Sequence, residues 1–211
     1  MPNHVTTICT VTGPATDVAT FVENHIRPVL CEQHDDCKAT PALAAACVDR
    51  RFFDFHTVIP KPAVLEGTIS PDRDHPQNRK AEAETGFSNW YDWTIAKWGT
   101  KWGAYDYEER ERDDGRFIFK FETAWSFPEP VFKMLAEQHP SLVFDVTSFD
   151  EGWCFGAIGQ FNGRSDFRAA KELATDELYE EVYGRKPDVD DEDDEDDETS
   201  GEKSADEGAK R

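Results

Sequence analysis

The stretch FIFKFETAWSFPEPVFKMLAEQHPSLVFDVTSF, residues 117–149, decides the fold. It opens on Phe117-Ile118-Phe119-Lys120-Phe121, an alternation that puts three phenylalanines on one face of a strand. Ser126-Phe127-Pro128-Glu129 follows with the spacing of a capping box, Ser126 as the cap and Glu129 reaching back. Val131, Met134 and Leu135 then recur at helical spacing, and the helix stops before Pro140, which lacks a donor. Residues 142–149 return as a strand. The segment reads as strand, helix, strand.

Upstream, residues 4–13 are rich in β-branched side chains and end at Gly13-Pro14, which predicts a strand. Thr16 or Asp17 can cap the next helix, on which Val18, Phe21, Val22 and Ile26 share a face up to Pro28. Residues 52–59 read as a second strand, stopped by Pro60 and Pro62. Residues 66–85 are polar and look like a surface insertion. Phe87, Trp90, Tyr91, Thr94, Ile95 and Trp98 then predict a helix that Gly99 ends in a left-handed conformation. Asp113-Asp114-Gly115 is a turn into the deciding stretch. Downstream, Asp150-Glu151-Gly152 turns into a strand over 153–161, Asn162-Gly163 turns again, and 167–183 reads as a final amphipathic helix. With the insertion (about 60–114) and the C-terminal additions set aside, the order is β-α-β-β-α-β. That is the ferredoxin-like α+β arrangement, an antiparallel sheet with two helices on one face. The expected division is a ferredoxin-like domain over 1–163, a C-terminal helix over 164–186 and a disordered acidic tail over 187–211.

Composition narrows the function. The chain has 211 residues and a net charge of -21, and about half of the excess falls in residues 188–211. An acidic body repels phosphates unless bases cluster, so nucleic acid is an unfavoured partner and a basic protein a favoured one. No apolar run is long enough for a membrane span, and the first residues carry neither a basic start nor an apolar stretch. The 5 cysteines make no even framework, which fits reduced thiols in a cytoplasm.

Several motifs occur together in order: Met1-Pro2-Asn3-His4-Val5-Thr6, Phe53-Asp54-Phe55 with Ile59-Pro60, Trp98-Gly99-Thr100-Lys101-Trp102-Gly103-Ala104, Phe121-Glu122-Thr123-Ala124-Trp125-Ser126 with Pro128 and Pro130, and Glu151-Gly152. Over roughly residues 1–163 they resemble the YubB-like family of phage and conjugative-plasmid proteins with a ferredoxin-like domain. The resemblance implies that fold and a mobile-element origin. It implies no catalytic residue.

Four constellations could carry function. Trp90, Trp93, Trp98, Trp102, Tyr105 and Trp125 form a dense aromatic set. Packing of the inserted helix on the sheet accounts for most of it. Trp102 and Tyr105 lie past that helix, in a Gly-flanked loop beside Lys101 and Asp106, where recognition residues often sit. The candidate binding residues are therefore Lys101, Trp102, Tyr105, Asp106 and Trp125. Cys31, His34, Cys37 and Cys47 are a weak candidate set for structural zinc, because their spacing is not that of two close pairs. Asp150 and Glu151 sit at a tight turn, which favours Asp for backbone reasons alone. The acidic tail is either solubilising or a mimic of nucleic-acid charge. No phosphate loop, His-Glu-x-x-His or nucleophile elbow is present, and Ser126 reads as a cap rather than a nucleophile. No cofactor is expected. The reading is a non-enzymatic interaction protein of a phage or plasmid that binds a basic host or element-encoded protein. A single-stranded nucleic-acid binder using Lys97 and Lys101, and a metal-dependent enzyme acting on nucleotides or nucleic acid, are the alternatives.

Overall fold

The structure, a computed structural model, describes residues 3–29, 50–72 and 74–187. In chain order these form β1 (His4–Thr12), α1 (Ala15–His25), β2 (Ile26–Pro28), β3 (Arg51–Phe53), α2 (Pro76–Thr85), α3 (Trp90–Lys97), β4 (Tyr105–Asp113), β5 (Arg116–Ala124), α4 (Glu129–Gln138), β6 (Val143–Asp150), β7 (Gly156–Phe161), β8 (Ser165–Ala170) and α5 (Asp176–Tyr183). A six-stranded sheet has the order β4-β5-β1-β6-β7-β8, and β2 and β3 pair in a separate ribbon. Every pairing in both is antiparallel. The β1-α1-β4-β5-α4-β6 portion is the ferredoxin-like unit, extended at one edge by β7 and β8.

Alternation makes the core. Phe117, Phe119 and Phe121 of β5 point to one face with Cys9 and Val11 of β1 and Phe144 and Val146 of β6. Val18, Phe21 and Val22 of α1 and Val131, Phe132 and Leu135 of α4 cover them, and these positions follow helical spacing. Burying side chains of this size stabilises by about 2–3 kcal/mol each. The opposite face carries α5, whose Tyr179 and Val182 cover Phe149 of β6.

The second core strand is not the expected one. Residues 52–59 extend only through Phe53, and β3 pairs with β2 rather than with the main sheet. Asp54 then ends the extension by accepting the His56 backbone N–H at 3.0 Å, which turns Phe55–Thr57 into a 3-10 helix. The core position belongs to β4, with the sequence YDYEERERD at the sheet edge. An edge strand packed on one row needs little apolar alternation, and its charges and register shifts blunt the edge. The helical insertion therefore lies between α1 and β4, and ends before Tyr105 instead of running from about 60 to 114. Within it, the polar stretch 66–85 contains α2.

Other expectations also change. Residues 167–183 are not one helix: 165–170 pair with β7, and a helix begins only at Asp176, where the Thr175 hydroxyl accepts the Leu178 N–H at 3.3 Å. The strand expected over 153–161 starts at Gly156. Neither Thr16 nor Asp17 caps α1, which follows Pro14 without a side-chain cap. Ser126 does not cap α4: Pro128 holds that position, and the Ser126 hydroxyl donates to the Gly99 carbonyl at 2.5 Å. The acidic tail lies outside the described residues.

Candidate functional site

The Trp98-Gly99-Thr100-Lys101-Trp102 segment is fastened to the end of β5 by side-chain hydrogen bonds to backbone. Thr100 donates to the Ala124 carbonyl at 2.7 Å, Ser126 to the Gly99 carbonyl, and Thr94 of α3 to the Lys101 carbonyl at 2.7 Å. Gly99 has φ of 80°, and a Cβ there would stand 2.7 Å from Pro130 Cδ at the start of α4. Only glycine suits that position. Trp98 is an anchor, 3% exposed, with its indole N–H donating to the Ile59 carbonyl at 3.0 Å.

Beyond the anchor the rings face solvent. Trp102 is 36% exposed and Trp125 is 40% exposed. The Lys101 ammonium lies between them, 4.5 Å from one ring centroid and 4.8 Å from the other. Each such contact contributes about 0.5–1 kcal/mol at an exposed site. Trp125 holds φ of 71°, in the left-handed region, while its N–H donates to the Asn3 carbonyl at 2.9 Å. That backbone costs about 1–2 kcal/mol in a residue with a Cβ, and the side chain it presents is not buried in return.

Trp102 leans on Tyr105, with centroids 6.4 Å apart. The Tyr105 hydroxyl meets His4 Nδ1 at 2.8 Å, and the same nitrogen is 3.3 Å from Glu122. Glu151 accepts the His4 backbone N–H at 2.7 Å and reaches within 4.0 Å of His4 Nε2. Thr6 stands 3.4 Å from the Glu122 carboxylate and 3.3 Å from the Tyr183 hydroxyl. Burial, and then the Asp106 carboxylate, raise the Glu122 pKa. Burial, with Glu122, Asp106 and Glu151 nearby, holds the Tyr105 phenol protonated well above the usual range. Tyr105 is thus neutral at physiological pH, beside a convergence of carboxylates.

The five candidate binding residues are brought to one end of the sheet. Lys101, Trp102 and Trp125 touch, Tyr105 touches Trp102, and Asp106 acts on Glu122 through charge. His4, Thr6, Glu122 and Tyr183 were not among the candidates, and Glu151 was named only with Asp150 at the tight turn. A signal existed for four of them, since His4, Thr6, Glu122 and Glu151 stand inside the motifs that carried the resemblance. Tyr183 had none, because its place depends on how α5 docks. Asp150 is structural: its buried carboxylate accepts from Asn3 Nδ2 at 3.3 Å and the Cys154 N–H at 3.0 Å. The zinc candidates Cys31, His34, Cys37 and Cys47 lie outside the described residues. Among the described residues, no group of three or more His, Cys, Asp or Glu side chains is placed to hold a metal ion, and no helix is long and apolar enough to cross a membrane.

Comparison with known proteins supports the fold. A search of curated proteins finds no match. Among solved structures, the crystal structure of a protein Api92 from Yersinia pseudotuberculosis superposes with a TM-score of 0.52, covering 77% of this chain and 95% of that one at 8% identity. Identity that low carries the fold alone. The family comparison bears on the ferredoxin-like part of the motif resemblance and does not test the YubB-like, phage or plasmid part of it. Residues 101–201, which include Lys101, Trp102, Tyr105, Asp106 and Trp125, match the family model described as a ferredoxin-like domain in Api92-like protein.

Proposed function

We propose that this chain is a non-enzymatic interaction protein whose Trp102–Lys101–Trp125 surface docks a basic segment of a partner protein. One observation carries the reading: two exposed tryptophans held by a stapled loop, one in left-handed backbone, bracketing a lysine. Exposed rings on a rigid support are typical anchors of protein interfaces. The carboxylates of Asp106, Glu122 and Glu151 lie around Tyr105, which touches Trp102, and a net charge of -21 steers a cationic partner toward them. Arginine is the best match, because its planar guanidinium stacks on indole and pairs with carboxylates. A host or mobile-element protein is the expected source, and a phage or plasmid origin rests on the motif resemblance alone.

The test is affinity capture at low and high salt, using the wild-type chain, Trp102→Ala and Trp125→Ala. The reading expects a basic protein retained by wild type and lost from both variants. Equal retention by all three would overturn it. Single-stranded nucleic acid is the second reading, because a lysine between two exposed rings is also a stacking platform. A gel shift at low salt would favour it, and the overall acidity weighs against it.

A further inference from the structure

A separate cavity of about 270 Å³ opens between the Phe55–Thr57 turn, α3 and the 101–104 loop. Trp90, Trp98 and Trp102 contribute to its walls, and His56, Lys61 and Lys101 contribute polar groups. The Trp98 ring is fixed there by its bond to Ile59 and by edge contacts with Trp93 at 5.4 Å and His56 at 4.9 Å. The Trp98 wall is therefore in place before any ligand arrives.

Its charge runs against that of the chain. Acidic residues outnumber basic ones 44 to 23. Yet neither Lys61 nor Lys101 has a carboxylate within ion-pair distance among the described residues. Asp54, the carboxylate of the lining, turns an oxygen to the His56 backbone N–H. Burial lowers the His56 pKa, so the imidazole is neutral and offers one N–H and one lone pair.

We propose that this cavity binds a planar aromatic molecule carrying one anionic group, with the ring among the tryptophans and the anion on Lys61 and Lys101. Apolar walls with a few convergent polar groups are the usual form of a small-molecule site. The volume, small for such sites, suits one ring system with a single phosphate or carboxylate. It excludes a dinucleotide. The site shares Trp102 and Lys101 with the docking surface, but Lys61 and His56 belong to the cavity alone and Trp125 to the docking surface alone.

The experiment titrates the full chain by isothermal calorimetry. One arm uses nucleoside 5′-monophosphates as the phosphate source, and another uses indole-3-carboxylate as the carboxylate source. Controls are the uncharged nucleosides, indole and inorganic phosphate alone. The expected result is saturable binding of one anionic ring class below about 1 mM, weaker binding of its uncharged counterpart and none of phosphate. Lys61→Ala and the milder Lys61→Gln should weaken it at least ~5-fold with an unchanged melting temperature, the loss of one charge-assisted contact. Lys61→Ala should leave capture of a partner at the Trp125 surface unchanged, because Lys61 is not part of that surface, so failure of the docking reading would be seen separately. Absence of saturable binding in wild type, equal binding of charged and uncharged rings, or full affinity in both Lys61 variants would overturn the proposal.

Discussion

Two aromatic regions of this molecule look alike in composition and behave in opposite ways. The face under α1 and α4 is packed with phenylalanines that are fully buried and touch one another, Phe53 with Phe119 and Phe121, and Phe132 with Phe144. The end of the sheet at residues 98–106 and 125 is rich in tryptophan, but its rings divide. Trp98 is buried and Trp102, four positions on, is not. The phenylalanine face gains stability by excluding water. The tryptophan end is held by polar bonds, Thr100, Ser126 and Thr94 to backbone carbonyls, and leaves its outer rings in solvent. Aromatic density alone does not separate packing from presentation. The polar bonds that hold the backbone do.

The sharpest way to break that comparison is to truncate one ring in each region. Phe132→Ala should lower the unfolding free energy by about 3–5 kcal/mol in urea denaturation, because it opens a cavity in a packed core. Trp102→Ala measured the same way should change it by less than about 1 kcal/mol. Similar losses would mean that the tryptophan end is core after all.

The next largest effect should come from the staple. Gly99→Ala places a Cβ in left-handed backbone and against Pro130. It should destabilise by roughly 2–3 kcal/mol, and weaken any partner bound through Trp102. A near-neutral result would mean that the loop is free to move.

Acid should strain the phenylalanine side through a buried pair of imidazoles. His25 Nε2 meets His139 Nε2 at 2.9 Å, and His25 Nδ1 meets the Thr57 hydroxyl at 2.7 Å. Thr57 donates to the Asp54 carbonyl at 2.6 Å, so His25 must donate through Nδ1 and accept from His139. The His25 ring is then neutral. Burial, and then His139, lower the His25 pKa from 6.5 to about 4, and burial lowers that of His139. Between those values the unfolded chain takes up protons that the folded chain refuses. The contribution of His25 is therefore complete above pH 6.5 and lost as pH falls toward 4. The loss should be on the order of 2 kcal/mol, after allowing for solvent screening. His25→Asn should flatten this part of the stability profile, and a profile unchanged by that substitution would count against the arrangement.

The smallest expected effect has the opposite sign. Trp125→Gly removes a side chain from backbone at φ of 71° and should raise stability by up to about 1 kcal/mol. Partner capture should fall in the same variant. A clear loss of stability would show that the ring is held for packing.

Much of this was legible in the residues. The β5-α4-β6 unit follows from the alternation at 117–121 and the helical spacing of Val131 and Leu135, with shifts of up to three residues at the ends. Lys101, Trp102, Tyr105 and Trp125 were named from the residues as well, from large rings in and near a Gly-flanked loop, and they lie at one end of the sheet. Less accessible was β4, where charges alternate with little apolar pattern, and the split of 165–183 into a strand and a short helix. Both depend on a neighbouring strand that supplies hydrogen bonds whatever the side chains are.

The sequence by itself determined the sheet face and the two helices that cover it, because apolar periodicity is a local property of each segment. It determined the acidic character and the need for glycine after Trp98 for similar reasons. Only the tertiary structure decided that β4 fills the edge, that His4 and Glu122 meet beside Tyr105, and that Lys101 sits between Trp102 and Trp125. Several of those contacts join residues far apart in the chain, His4 with Tyr105 and Glu122, and Lys101 with Trp125. They are selected by strand pairing and by side-chain bonds to distant carbonyls, which no single stretch of sequence contains.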